Sequence, residues 1–109
     1  MSKYHSSKSG GFDSRKEQNR YKELLLMQRA GQITDLKTQV KFDLLPAQPR
    51  KGKSPERKVV YIADFTYYDK NGEYIVEDVK GYKGGEAYRL FVLKRKLMLW
   101  VHHIQIKET

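Results

Sequence analysis

Three side chains in one stretch of this sequence could act together on a phosphate. The stretch is "KVVYIADFTYYDKNGEYIVEDVKGYKGG", and the side chains are Asp64, Asp78 and Lys80. Both acids fall in runs that are otherwise apolar, and a core strand does not hold a carboxylate without compensation. Side chains alternate across a strand, so Asp78 and Lys80 face one way and Val79 the other. Asn71-Gly72 marks a hairpin turn. Asp64 and Asp78 lie at nearly equal distances from it, so the ladder should bring them close. Two neighbouring carboxylates raise each other's pKa, and a cation between them relieves the repulsion. Oxygen ligands of this kind suit Mg²⁺ or Mn²⁺. Such an ion can activate a water and polarise a phosphate oxygen. A lysine beside it can offset the charge that develops on phosphorus. One acid, then an acid-x-Lys on the next strand, is thus a workable set for phosphodiester hydrolysis. The plainer account makes Asp78 and Lys80 solvent-facing residues at a strand end. Glu77 is the local competitor, but it should face the other side of the sheet with Ile75 and Val79.

The elements that must position these residues can be read along the chain. Ser14 and Glu17 have capping-box spacing and open a helix. Tyr21, Leu24 and Leu25 give it an apolar stripe, and Gly31 stops it after Ala30. Glu17 has two readings: a capping residue, or an acid that projects toward the sheet and completes the metal site. In "DLKTQVKFDLL", Leu36, Val40, Phe42 and Leu44 alternate with polar residues, as in a strand with one wet face. "PAQPRKGKSPERK" holds all three prolines of the chain and reads as a loop. "VVYIADFTYY" and "EYIVEDVKG" are strands, and "DKNG" is the turn between them, with the Asn-Gly pair suited to positive φ. A second helix spans Glu86 to Leu99, with Leu90, Leu93, Leu97, Phe91 and Trp100 forming a broad apolar face. "HHIQIK" closes the chain as a short strand. The order is helix, three strands, helix, strand. A helix between two strands favours a parallel crossover, so the expected fold is α/β, with a mixed sheet and helices packed on it.

Composition narrows the partners. The chain has 109 residues, 22 Lys and Arg against 13 Asp and Glu, and a formal net charge of +9. That length makes one domain, expected over residues 13–109 behind a flexible basic arm at residues 1–12. The excess positive charge favours polyanions, nucleic acid first. There is no cysteine, which excludes disulfides and thiolate metal sites. No apolar run is long enough to span a bilayer and the N-terminus lacks the apolar core of a signal peptide, so a cytoplasmic location is expected. Arg50, Lys51, Lys53, Arg57 and Lys58 form the densest basic cluster, either a phosphate-gripping arm or a solubilising loop. Lys94, Arg95 and Lys96 on the second helix could contact phosphates or form its solvated face. His5, His102 and His103 are read as non-catalytic. "GYKGG" lacks the spacing of a nucleotide-binding loop, so no nucleotide cofactor is expected.

The runs "FDSRKEQNRYKELLLMQRAGQI", "DLKTQVKFDL", "YIADFTYYDKNGEYIVEDVKG" and "LKRKL" resemble a family of small phage and prophage proteins of unknown function. That family is similar to the PD-(D/E)xK nuclease superfamily, in particular its Holliday-junction-resolvase-like members. The resemblance covers roughly residues 12 to 107. It implies a restriction-endonuclease-like αβββαβ core. It places the motif's acids on Asp64 and Asp78, its lysine on Lys80 and the helix acid on Glu17. The implied metal set is Asp64, Asp78, Val79 and Glu17. Ala63 stands where the motif's proline is found in some members.

Two functions follow as expectations. The first is a Mg²⁺- or Mn²⁺-dependent endodeoxyribonuclease acting on branched or otherwise structured phage DNA in a bacterial host. Its expected DNA contacts are Arg50, Lys51, Lys53, Lys94 and Lys96. Junction cutting needs two active sites, so a homodimer goes with it. The alternative is a basic DNA- or RNA-binding module that keeps the nuclease fold without turnover.

Overall fold

The computed structural model describes residues 14–81 and 83–109. The arm expected over residues 1–12, with His5, lies outside the described residues. Helix α1 spans Arg15–Arg29. The Ser14 hydroxyl accepts from the Glu17 amide at 3.1 Å, satisfying one donor that the helix start leaves open. Gly31, at φ 80°, supplies the left-handed residue that ends the helix.

Four strands then make one sheet in the order β1-β4-β5-β6: β1 Thr34–Leu45, β4 Val59–Tyr68, β5 Tyr74–Asp78 and β6 Lys107–Glu108. The first three run antiparallel in sequence, and β6 pairs parallel to β5. Helix α2, Gly85–His102, carries the crossover between them. The fold is α/β, with a mixed sheet and two helices.

Strand and turn chemistry account for most of this. The β4–β5 turn is closed by Asp69, whose Oδ1 accepts from the amides of Asn71 and Glu73, both at 2.9 Å. Only Gly72 takes positive φ there, 78°. The turn is therefore a three-residue type with a glycine bulge, and the expected positive φ at Asn71 does not occur.

Three expectations need correction. The proline-bearing stretch contains a small antiparallel ribbon, β2 Gln48–Arg50 and β3 Lys53–Glu56, rather than a loop. Gly52, at φ 69°, makes its turn. Pro49 and Pro55 are tolerated because a two-stranded ribbon consists only of edges. The helix α2 runs on through His102, and His103 caps it in the left-handed region at φ 60°. The last strand starts only at Lys107, so the histidines do not lie on it. Finally, α2 turns a narrower face to the sheet than expected. Phe91 and Met98 are buried, whereas Leu90, Leu93 and Trp100 are exposed.

The core has two apolar clusters. One holds Leu44, Tyr61, Ala63, Val76, Phe91, Met98 and Ile106, and belongs to α2. The other holds Leu24, Ile33, Phe65 and Tyr67, and belongs to α1. The same parity of β4 thus serves both: Tyr61 and Ala63 pack with α2, Phe65 and Tyr67 with α1. β1 does likewise, with Phe42 and Leu44 in the first cluster and Leu36 beside the second. The change of side falls between the pairs Val40–Ala63 and Thr38–Phe65. Gln39 and Asp64 occupy that position, and Gln39 has φ 54°. A non-glycine residue there is a local strain that the surrounding ladder must hold.

Candidate functional site

Asp64 therefore sits where the β1–β4 ribbon changes face. Its neighbour in β5 is set by the ladder: Phe65 pairs with Glu77, which places Asp64 beside Asp78. Asp64 Oδ2 accepts from the Val79 amide at 2.8 Å. Asp78 is buried, as is Glu17. Asp78 Oδ1 accepts from the Tyr61 hydroxyl at 2.8 Å, and Oδ2 forms an ion pair with Lys80 Nζ. The Lys80 ammonium also lies 3.4 Å from the centroid of the Phe91 ring, a favourable place for a cation.

Glu17 reaches the same place from α1. Its amide takes the Ser14 cap, and its Oε2 accepts from Gln39 Nε2 at 3.0 Å. Its carboxyl lies beside that of Asp64. Burial raises the Asp64 carboxyl to about 6; the Asp78 charge adds to the rise, while the Val79 amide and Lys80 oppose it. Burial also raises the Tyr61 phenol, and the Asp78 charge reinforces this. Tyr61 accordingly stays a hydrogen donor at any ordinary pH.

The four residues Glu17, Asp64, Asp78 and Lys80 are thus brought together, with Val79 between them. The side chain of Val79 packs beside the α1 cluster, so only its backbone could serve a cation. Among the described residues, no group of three or more His, Cys, Asp or Glu side chains stands ready to hold a metal ion. The ion pair with Lys80 and the bond from Tyr61 occupy Asp78 instead.

Glu77 faces the other side, as its parity requires. It is fully buried and heavily bonded. Arg20 donates from Nε at 2.6 Å and from Nη2 at 3.0 Å, the Tyr67 hydroxyl donates at 2.7 Å, and Thr109 Oγ1 at 3.0 Å. Burial alone would push this carboxyl up, but the Arg20 and Tyr67 bonds outweigh it and hold it below its ordinary value. Further backbone bonds fix the end of β5: Thr109 N–H donates to Asp78 O at 3.0 Å, and Lys80 N–H to Thr109 O at 2.8 Å. Lys16 Nζ also donates to the Lys80 carbonyl.

Sequence reasoning missed Gln39, Tyr61 and Arg20. Arg20 had a signal: it lies three residues after Glu17, on the same side of the helix, and a buried Glu77 needs a cation. Tyr61 and Gln39 had none, because their roles depend on the change of face.

The basic residues expected to meet phosphate sit on other elements. Arg50 and Lys53 are exposed on the β2–β3 ribbon and Lys51 is in its turn. Arg50 is tied to Ser54 O at 2.8 Å and lies 3.4 Å from Glu56. Lys96 is exposed on α2, and Lys94 is half-buried.

Family comparison covers the whole chain. Residues 1–109 match a family described as Protein of unknown function (DUF1064). The chain belongs to this DUF1064 family. No curated protein and no solved structure matches it. Among the described residues of this DUF1064 protein, no helix is long and apolar enough to cross a membrane.

Proposed function

We propose that this chain is a divalent-metal-dependent endodeoxyribonuclease of the PD-(D/E)xK type, similar to resolvase-like phage and prophage proteins, that hydrolyses branched or structured DNA in the bacterial cytoplasm. The observation that carries the reading is the Glu17–Asp64 contact beside Asp78 and Lys80. Residues of α1, β4 and the end of β5 converge there, with Glu17 and Asp78 buried. A folded protein gains nothing in stability from such a cluster, because acids drawn together out of water are costly.

The donor chemistry is of the kind that Mg²⁺ or Mn²⁺ takes, and the side chains would have to close on the ion, since among the described residues no group of three stands ready for it. The donors are carboxylate oxygens, which these ions take in preference to softer ligands. Glu17, Asp64 and Asp78 would hold the ion, with the Val79 backbone beside them. When bound, the ion supplies an activated water and a polarised phosphate oxygen. The remaining tasks belong to the protein. Lys80 carries a fixed positive charge next to Asp78, where it can stabilise negative charge growing on the attacked phosphate. Tyr61 and the Val79 amide hold the two aspartates in orientation. The β2–β3 ribbon and the exposed lysines of α2 offer positive charge to the DNA backbone.

A second reading has its own support. Lys80 and Tyr61 neutralise Asp78 without any metal, which would suit a basic nucleic-acid-binding module that no longer turns over.

Thermal melting with Mn²⁺ distinguishes the two. A ligand held only by the folded state raises the melting temperature by mass action. Millimolar Mn²⁺ should raise it in the wild type and leave Asp78→Asn unchanged. A wild type that does not respond would favour the binding module.

A further inference from the structure

The β2–β3 ribbon stands apart from the rest of the molecule. Every residue from Leu45 to Lys58 is exposed, and the two strands pair with each other but not with the main sheet. The segment carries five basic residues, Arg50, Lys51, Lys53, Arg57 and Lys58, against one acid, Glu56. Arg50 is engaged within the ribbon, with Ser54 O at 2.8 Å and Glu56 at 3.4 Å, and clasps the two strands near the turn. Lys58 lies 3.6 Å from Asp43. Among the described residues, Lys51, Lys53 and Arg57 pair with no acid. Lys51 and Lys53 flank Gly52 at the tip, where an added Cβ would meet nothing within 4 Å.

We propose that this ribbon inserts as a finger into the major groove of duplex DNA. A second protein strand is disfavoured as its partner. Each strand of the ribbon carries one proline, Pro49 or Pro55, and so offers one backbone donor fewer along its open edge. The unpaired positive charge instead matches a polyanion, and shape chooses among polyanions. A two-stranded ribbon, its strands about 4.8 Å apart, enters the major groove of B-DNA, about 12 Å wide, more readily than the minor groove of about 6 Å. Proteins that open the minor groove commonly wedge an apolar side chain into it. The tip here, Arg50-Lys51-Gly52-Lys53, has none, and for the same reason it brings nothing to bury in a lipid surface. In duplex RNA the major groove is too deep and narrow for side chains to read.

The finger also sets how much duplex the protein spans. Asp64 lies eleven residues beyond Lys53. At ~3.3 Å per extended residue, the tip is no more than ~36 Å from it. One turn of DNA is about 34–36 Å, or about 10 base pairs. With Asp64 at the attacked phosphate, the finger therefore grips the duplex up to one turn away. This reach rests on the reaction proposed at Asp64, whereas the grip itself does not.

Fluorescence anisotropy with a labelled duplex of about three turns, ~30 base pairs, tests the grip in the presence of a chelator and so without cleavage. DNA whose major groove is filled by glucosylated hydroxymethylcytosine should bind the wild type roughly tenfold or more weakly than plain DNA. The minor-groove ligand distamycin should leave binding unchanged, and duplex RNA should bind no better than the filled DNA. Lys51→Glu combined with Lys53→Glu should weaken binding to plain DNA by a similar factor and remove the difference between plain and filled DNA. Both side chains are exposed, so the melting temperature should stay that of the wild type. On four-way junctions, shortening the arms from ~15 to ~5 base pairs, to less than one turn, should weaken binding of the wild type but not of the variant. The proposal is overturned if filling the major groove has no effect, if distamycin competes, if duplex RNA binds as tightly as plain DNA, or if the charge-reversed protein binds plain DNA like the wild type. It is also overturned if vesicles of phosphatidylserine and phosphatidylcholine, rather than DNA, lose their binding in the variant. A wild type indifferent to arm length would overturn the one-turn reach. A protein that meets every binding expectation but cuts no DNA with metal would keep the finger and lose the nuclease.

Discussion

The Asp64 carboxylate accepts a hydrogen bond from the Val79 amide at 2.8 Å. This bond ties the acid of one strand to the residue lying between the acid and the lysine of the next. It also leaves Asp64 an acceptor in either of two chemical forms, carboxylate or amide.

That gives a pH prediction for the metal-free protein. The folded-state pKa of Asp64, about 6, lies above its ordinary 3.8. The folded chain therefore binds more protons than the unfolded one between these values, and this group's contribution to stability falls as pH rises from about 4 to about 6. Asp64→Asn removes the penalty while keeping an acceptor for Val79. At pH 7 with a chelator present, urea melts should show the variant more stable by about 1–2 kcal/mol, allowing for partial exposure. At pH 4 the two proteins should melt alike. Equal stability at pH 7 would mean that Asp64 is not held against its ionisation.

The Arg20–Glu77 pair makes a different prediction. Glu77 has no solvent contact, whereas the Arg20 side chain keeps 20%. Arg20→Ala strands a buried carboxylate and should cost about 3–5 kcal/mol. Joint replacement by Arg20→Met and Glu77→Leu should recover part of that loss, although Tyr67 and Thr109 would then lose a shared acceptor. Urea denaturation of the single and double variants measures both effects.

Gln39 separates backbone from side chain. At φ 54°, any residue with a Cβ is strained by about 1–2 kcal/mol. Gln39→Gly and Gln39→Ala both lose the bond to Glu17. The glycine variant should nevertheless be the more stable by about 1 kcal/mol. If alanine is equal to glycine, the strand is not distorted at this point.

How much of this could be read from the sequence depended on the range of the interaction. The first helix was legible to the residue, because Ser14 and Gly31 act locally on it. The β4–β5 hairpin was legible too, and with it the approach of Asp64 to Asp78, since a tight turn fixes the register. The β2–β3 ribbon was not: proline reads as a strand breaker, and only the absence of further neighbours makes it harmless there. The outward turn of Trp100 was likewise hidden, because apolar residues surround much of α2 and periodicity alone does not say which stripe meets the sheet. Tyr61 and Gln39 came to light only with the change of face at Asp64, a tertiary feature with no local signature.

The β2–β3 ribbon can be tested as a DNA contact through salt dependence. Each phosphate contact adds about 0.9 to the slope of log K against log salt for duplex DNA. Replacing Arg50, Lys51 and Lys53 by alanine should flatten the slope by about 2–3. An unchanged slope would move the contact to α2.

Lys80 is proposed to serve chemistry beside the two aspartates. The most direct measurement is single-turnover cleavage of labelled linear, flap and four-way-junction DNA, with and without Mg²⁺ or Mn²⁺, by the wild type and by Lys80→Ala. Cleavage should require the metal. Lys80→Ala should slow it ~100- to 1,000-fold while leaving DNA affinity nearly intact, because the ammonium acts mainly on charge that develops in the transition state. A Lys80→Ala protein that cleaves as fast as the wild type, or a wild type that cleaves none of these substrates with either metal, would contradict the account.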